Sequence, residues 1–207
     1  MSPEATSAAR RAYEDIKERV LDGRLAVRSH IDVEALARDL GLSSMPVRQA
    51  LNLLIWERLV RPGRRSAYEV ALWSETELAH LYEWRGALLV LALPGAAPSG
   101  ELKRIARTEV YASAVREVMA LVERGANSEL LRASSNADDR LWAARQIEPE
   151  ILGDVEGELA ILVSALAERS RRAPALVRAY SRRRVQHAKA LRAQVVLKAL
   201  PSNGHSA

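Results

Sequence analysis

Three side chains between residues 48 and 52 are suited to recognising nucleic-acid bases. Arg48 can donate two hydrogen bonds to guanine or to a phosphate, and Gln49 or Asn52 can pair with adenine. Arg64 and Arg65 follow a Pro-Gly pair and are natural partners of phosphates. These residue types indicate that the region binds a partner through hydrogen bonds and charge, and does not catalyse a reaction.

Three predicted helices and a hairpin would present these side chains. The helices are predicted at residues 8–22, after an Asp32 cap and after a Ser43 cap, each with apolar residues at helical spacing. Residues 59–70 have two short apolar ends around a basic Pro-Gly tip, which predicts a β-hairpin. This order is that of a winged helix-turn-helix, whose third helix enters the major groove of DNA. The exposed side chains of that helix are Ser44, Met45, Arg48, Gln49 and Asn52.

The sequence of this region also resembles a known family. Residues 36–51, LARDLGLSSMPVRQAL, and residues 59–64, LVRPGR, resemble the DNA-binding domain of the GntR family of bacterial transcription regulators. The most diagnostic part is PVRxAL at residues 46–51. The resemblance implies that residues 1–72 form a winged helix-turn-helix that binds double-stranded DNA. It implies DNA contacts by Ser43, Ser44, Met45, Arg48, Gln49, Asn52, Arg64 and Arg65.

Four positions depart from the family pattern. Ser44 and Glu34 stand where members of the family commonly have arginine, so phosphate or base contacts are lost there. Arg58 and Arg65 stand where glycine is usual, and Arg65 adds a charge to the wing. We therefore expect DNA binding through a shifted set of contacts.

Residues 73–200 show helical patterns throughout, which predicts an all-α antiparallel bundle and a mainly α chain. Ser74 and Glu77 form a capping box at the first helix, and Asn127 is suited to cap a later one. One long helix is predicted from residue 102 to residue 125. Pro149 and Gly153 are expected to interrupt the next helix, Pro174 to open the last helix, and Pro201 to end it before a disordered tail at 201–207.

This helical half resembles the effector-sensing, FCD-type domain of the FadR-like branch of the family. Most members of that branch bind a divalent metal, often Zn, through an Asp, a His four residues later and two further His residues, and the metal helps to hold a small carboxylate. Asp138 and His187 match two of these ligands, but Trp142 occupies the place of the first His. The third His would fall near the end of the chain, where His205 is a poor substitute. We therefore expect no metal cofactor.

Arg85 lies in an apolar helix and has two possible roles. It could bind a carboxylate effector bidentately, or it could form a buried structural ion pair with Glu109 or Glu117. The candidate effector pocket is formed by Arg85, Asp138, Trp142 and His187.

The composition excludes other classes of protein. The chain has no Cys, and its four His residues show no metal-ligand spacing, so a cysteine nucleophile and a thiolate metal site are excluded and an enzyme is not expected. No run of about 18 apolar residues and no signal peptide are found, so a cytoplasmic protein without a membrane span is expected.

The net charge is +2 for residues 1–72, −6 for 73–165 and +9 for 166–207. The basic last stretch could pair with acidic neighbours or form a second contact with the DNA backbone.

These observations predict a transcriptional repressor that binds a palindromic operator as a homodimer. Its predicted parts are a DNA-binding domain at 1–72 and an effector-sensing or dimerisation domain at 73–200. The alternative is a DNA-binding protein that needs no effector, in which the helical domain serves dimerisation only.

Overall fold

The computed structural model describes residues 3–63, 67–95, 99–105 and 110–200. These residues fall into two units, one that runs to Leu72 and one from Trp73 to Leu200, called the N-terminal and the C-terminal unit below. The wing arginines Arg64 and Arg65 and the predicted tail at 201–207 lie outside the described residues.

The N-terminal unit contains three helices and a three-stranded sheet. Its elements are α1 (Pro3–Leu21), β1 (His30–Ile31), α2 (Val33–Leu40), α3 (Ser44–Trp56), β2 (Val60–Pro62) and β3 (Tyr68–Val70). The strand order is β1-β3-β2, and both pairs are antiparallel. The predicted winged helix-turn-helix is thus confirmed, with the hairpin as β2 and β3. The two-residue strand β1 was not predicted, because it is too short to show an alternating pattern.

Apolar residues at helical spacing hold this unit together. Ile16 of α1 and Val47, Leu51 and Leu54 of α3 are completely buried, so the two helices share one core. Asp32 caps α2, since its carboxylate accepts hydrogen bonds from the backbone N–H groups of the second and third helical residues. The cap fixes the start of α2, and the shared core fixes the position of α3 against α1.

Two helices of the N-terminal unit end with the same hydrogen-bond pattern but with different residues. After α2, Gly41 has φ 63°, its N–H bonds to Arg38, and the next N–H bonds to Ala37. After α3, Arg58 takes φ 59° and makes the equivalent bond to Ile55. This termination favours glycine, because a Cβ atom is strained in the left-handed region. The sequence departure at Arg58 is therefore a point of backbone strain.

The C-terminal unit is helical in all of its described elements. These are α4 (Glu75–Ala92), α5 (Ser99–Ile105), α6 (Tyr111–Glu123), α7 (Ser128–Leu152), α8 (Val155–Ala167), α9 (Ala173–Gln186) and α10 (Ala188–Ala199). A 3-10 turn follows α4. The long helix α4 packs against α9 and α7, and Gly86 of α4 allows this closeness, since a Cβ atom there would lie 2.2 Å from the Ser181 hydroxyl. No described helix is long and apolar enough to cross a membrane.

Three boundaries in this unit differ from the sequence predictions. The single helix expected over residues 102–125 is wrong, because Val110 is extended and separates α5 from α6. Pro149 does not interrupt α7 but lies inside it, and the helix ends only before Gly153. The last predicted helix is two helices, since His187 leaves helical geometry between α9 and α10. The predicted caps at Ser74 and Asn127 are confirmed.

The strain at Arg58 leads to a stability prediction. We expect Arg58→Gly to raise the free energy of unfolding of the N-terminal unit by about 1 kcal/mol, because glycine takes a positive φ without a Cβ clash. Denaturant unfolding followed by circular dichroism measures the change. Arg58→Ala is the control, since alanine removes the guanidinium but keeps the strained backbone and should give no gain. Equal stabilisation by both variants would contradict the backbone explanation.

Candidate nucleic-acid interface

The exposed face of α3 carries the residues that the sequence assigned to DNA contacts. Val47, Ala50, Leu51 and Leu54 point into the core, so the intervening side chains face solvent. Met45 is 65% exposed, and the Arg48 side chain is 44% exposed. Ser43 and Asn52 are exposed, while Ser44 and Gln49 are half-buried. One face of the helix therefore offers a thioether, a guanidinium and amide groups together.

The N-terminal end of this face is joined to α2 by Glu34. The Ser44 hydroxyl donates a 2.7 Å hydrogen bond to Glu34 Oε2, and Arg48 Nη2 lies 3.7 Å from Glu34 Oε1. Two of the departures from the family pattern, Ser44 and Glu34, are thus in direct contact. Ser43 begins α3 as expected but makes no capping hydrogen bond with its side chain.

The other end of the face is joined to the wing. The Tyr68 hydroxyl on β3 donates a long, 3.4 Å hydrogen bond to Asn52 Oδ1. Across the hairpin, Arg61 donates to Glu69 at 2.7 Å, and this contact holds the pKa of the Glu69 carboxyl below its ordinary value. The backbone N–H of Gly63 bonds to the Ala67 carbonyl at 2.8 Å, which closes the base of the wing tip. The hairpin is therefore tied to the exposed face of α3.

Arg85, the first effector-pocket candidate, is buried in the C-terminal unit and fully engaged by carboxylates. Its Nε donates to Asp138 Oδ1 and its Nη1 to Glu123 Oε1, both at 2.6 Å. Its Nη2 bonds to both carboxylates, at 3.0 and 3.1 Å. The proposed pairing with Glu117 is wrong, because that residue is exposed, and Glu109 lies outside the described residues.

Asp138 is buried between two guanidinium groups and is not a surface carboxylate. Besides Arg85, it pairs with Arg145, whose Nη2 lies 2.7 Å from Oδ1. Burial alone would raise the pKa of the Asp138 carboxyl, but the charges of Arg145 and Arg85 hold it below its ordinary value. For Glu123 burial is the stronger effect, so its pKa is raised.

The other two effector-pocket candidates make different contacts. Trp142 is half-buried, and the guanidinium of Arg116 stacks on its ring at 4.5 Å from the centroid. Arg116 also pairs with Asp139, so the indole ring lies under a cation that is itself held by a carboxylate. His187 bonds through Nδ1 with the Arg183 carbonyl at 2.8 Å, where α9 ends. Among the residues in the described ranges, no three His, Asp or Glu side chains are grouped to hold a metal.

A second buried polar cluster was missed from the sequence. Glu148 is completely buried and accepts hydrogen bonds from Tyr82, Tyr111 and Arg184 at 2.6 to 2.8 Å. Burial raises the pKa of Tyr180, which lies beside Tyr111, to about 12. The sequence did contain a signal for this cluster. Charged and apolar residues follow one another along α7 at positions three and four residues apart, which places the charged residues on the buried face of the helix. These positions are Asp138, Leu141, Arg145, Glu148 and Leu152.

Residues 8–70 match the model of the family described as bacterial regulatory proteins, gntR family. The N-terminal unit belongs to this gntR family. The match and the winged fold confirm that the chain carries the DNA-binding domain of a bacterial transcriptional regulator. No curated protein matches the sequence.

Solved structures extend the likeness in fold to most of the chain. The protein McbR/YncC of E. coli is 18% identical, with a TM-score of 0.66, over 90% of this chain and 97% of that one. A protein assigned as a GntR transcriptional regulator from Rhodococcus sp. RHA1 is 17% identical, with a TM-score of 0.65, over 94% and 100% of the two chains. At these identities the likeness shows a shared fold: a gntR winged helix followed by helices.

The pairing of Arg85 leads to a second stability prediction. We expect Arg85→Met to lower the free energy of unfolding of the C-terminal unit by about 3–5 kcal/mol, because Glu123 would be left buried without its cation and Asp138 would keep only Arg145. Denaturant unfolding followed by circular dichroism checks this value. Arg132→Met is the matched control, since this arginine of the C-terminal unit also pairs with a carboxylate, Glu129, but both side chains are exposed, so its loss should cost under ~1 kcal/mol. Equal losses would contradict the buried-charge argument.

Proposed function

We propose that this gntR-family protein is a transcriptional repressor that binds a palindromic operator as a homodimer. The observation that carries the proposal is the exposed face of α3, where Met45, Arg48, Gln49 and Asn52 share one surface. A dimer that occupies its operator excludes other proteins from the same DNA, so repression needs no further contact. Activation would additionally need a surface that binds polymerase.

Each side chain of this face has a distinct role in the proposal. Arg48 donates to guanine, Met45 packs against a thymine methyl group, and Gln49 pairs with adenine. The Asn52 carbonyl accepts from Tyr68, which leaves its amide N–H groups for a base acceptor. Ser43 and Ser44 contact phosphates at the start of the helix, as do Arg64 and Arg65 of the wing.

The C-terminal unit is proposed to supply the dimer contact. On α4, Trp84 is 51% exposed and Leu91 is 66% exposed, at positions that share a helix face. Leu91 also lines a groove of about 510 Å³ between α4 and α9. Glu83 lines it on the α4 side, whereas Arg178 and Arg182 line it on the α9 side. In a two-fold arrangement each glutamate can meet an arginine of the second copy, because such an interface is self-complementary.

For the effector question, the structure favours the alternative in which no small carboxylate is sensed at Arg85. The guanidinium already donates to two internal carboxylates, and Asp138 already accepts from two arginines. A carboxylate effector would have to displace one of these pairs, and a metal would have to compete with two cations for Asp138. Thermal stabilisation by a small carboxylate that is abolished in Arg85→Met would instead establish sensing at this position.

Selection of DNA from a random duplex library tests the DNA-binding proposal. We expect enrichment of two inverted half-sites whose centres lie about one or two helical turns apart, because a symmetric dimer reads a symmetric site. Arg48→Ala should weaken binding to the selected duplex by about 10- to 100-fold, the cost of one bidentate base contact. Arg10→Ala, an exposed arginine of α1, is the control. Failure to enrich any sequence at physiological salt would refute sequence-selective regulation.

A charge placed on α4 tests the dimer contact. We expect Leu91→Arg to shift the chain from dimer to monomer in sedimentation velocity, because a further cation would be buried in an interface that already contains Arg178 and Arg182. Ile161→Arg is the control, since this side chain is 61% exposed on α8, outside the groove. A wild-type chain that is monomeric would refute the homodimer, whereas a Leu91→Arg dimer would refute only its proposed surface.

A further inference from the structure

We propose that Glu34 is a specificity-determining residue, which restrains Arg48 and disfavours non-specific binding to phosphates. Glu34 is not among the predicted DNA-contact residues. The inference rests on the proposed base contact of Arg48 and adds a carboxylate on α2 to the interface.

The geometry places the Glu34 carboxylate on the same surface as the predicted contact residues. Glu34 lies in the first turn of α2, and its side chain is 63% exposed. One oxygen accepts from the Ser44 hydroxyl, and the other faces the Arg48 guanidinium at 3.7 Å. Both oxygens therefore engage the first residues of α3. A negative charge is held at the end of the helix that approaches DNA.

Folding stability does not account for this contact. Glu34 and Arg48 are both largely exposed, and exposed ion pairs contribute only about 0–1 kcal/mol to stability. Asp32, not Glu34, supplies the capping hydrogen bonds of α2. The contacts of Glu34 with Ser44 and Arg48 therefore have their main effect on a ligand that approaches the exposed face of α3.

The approach of a phosphate is disfavoured by this arrangement. Non-specific DNA binding depends on contacts between cations and phosphates. The phosphate that Arg48 would bind meets the Glu34 carboxylate beside it, so attraction and repulsion oppose each other. A phosphate beside Arg48 is therefore held less tightly than it would be beside a neutral residue at position 34.

The approach of a guanine is affected much less. The guanine edge offers two neutral acceptors, which need only part of the five N–H groups of a guanidinium. Arg48 can thus contact the base while it keeps an N–H directed at Glu34, and the carboxylate then limits its side-chain freedom. Glu34 therefore weakens the non-specific complex with phosphates more than the specific complex with guanine, and this difference increases selectivity.

The test compares Glu34→Gln with wild type on two duplexes. One is the duplex selected by the wild-type chain, and the other is a scrambled duplex of equal length and composition. Glutamine keeps an acceptor for Ser44 but removes the charge. We expect the scrambled duplex to bind about 5- to 10-fold tighter at 0.1 M salt, with a salt slope steeper by about 0.9, because one more phosphate contact forms. The selected duplex should change less than about twofold, a small fraction of one bidentate base contact.

Glu14→Gln is the matched control, since Glu14 is an exposed glutamate of α1 that is also paired with an arginine. It removes the same charge and should affect both duplexes equally. Equal tightening of both duplexes by Glu34→Gln, or no change in either, would overturn the inference. Wild-type binding that does not distinguish the two duplexes would instead refute the proposed function. Circular dichroism melting of each variant confirms that the comparison is between folded chains.

Discussion

The burial of one side of α3 is the constraint on which the proposed DNA-binding surface depends. Val47, Leu51 and Leu54 are completely removed from solvent, and each contributes roughly 1.5–3 kcal/mol as a buried aliphatic side chain. With this side fixed against α1, the rotation of the helix about its axis is determined. Met45 and Arg48 then have to face outward. The position of the residues proposed to contact DNA thus follows from apolar packing and not from any attraction to DNA.

A different constraint governs the C-terminal unit, where charged groups replace part of an apolar core. A buried arginine or carboxylate is tolerated only with an opposite charge and with its hydrogen bonds made. Arg85 meets this condition through Glu123 and Asp138, and Arg184 meets it through Glu148. Such pairs are satisfied in few helix arrangements, which ties α4, α6, α7 and α9 to one another. They also make the interior polar without leaving Arg85 free for a ligand.

The helix caps were predicted from the sequence, because each cap depends only on residues a few positions away. The Asp32 cap and the Ser74 capping box depend on neighbouring residues only, and each was correctly predicted. Long-range contacts were not accessible in the same way. The partners of Arg85 were mispredicted because they lie 38 and 53 residues away, and many glutamates could have reached it.

The net charge of +9 over residues 166–207 is partly balanced by acidic residues of the C-terminal unit. Arg183 and Arg184 pair with Glu158, and Lys198 pairs with Glu150, so part of the charge is neutralised within the C-terminal unit. This supports the internal explanation for the basic residues. We accordingly propose that the face of α3, and not the last stretch of the chain, recognises DNA.

The most direct test of this assignment uses the methionine methyl groups, because the chain has three Met residues. Met45 is exposed on α3, whereas Met119 is buried in the C-terminal unit. Methyl-labelled methionine spectra recorded with the selected duplex should show a large shift of the Met45 signal and an unchanged Met119 signal. An unchanged Met45 signal under conditions where the DNA is fully bound would contradict the account.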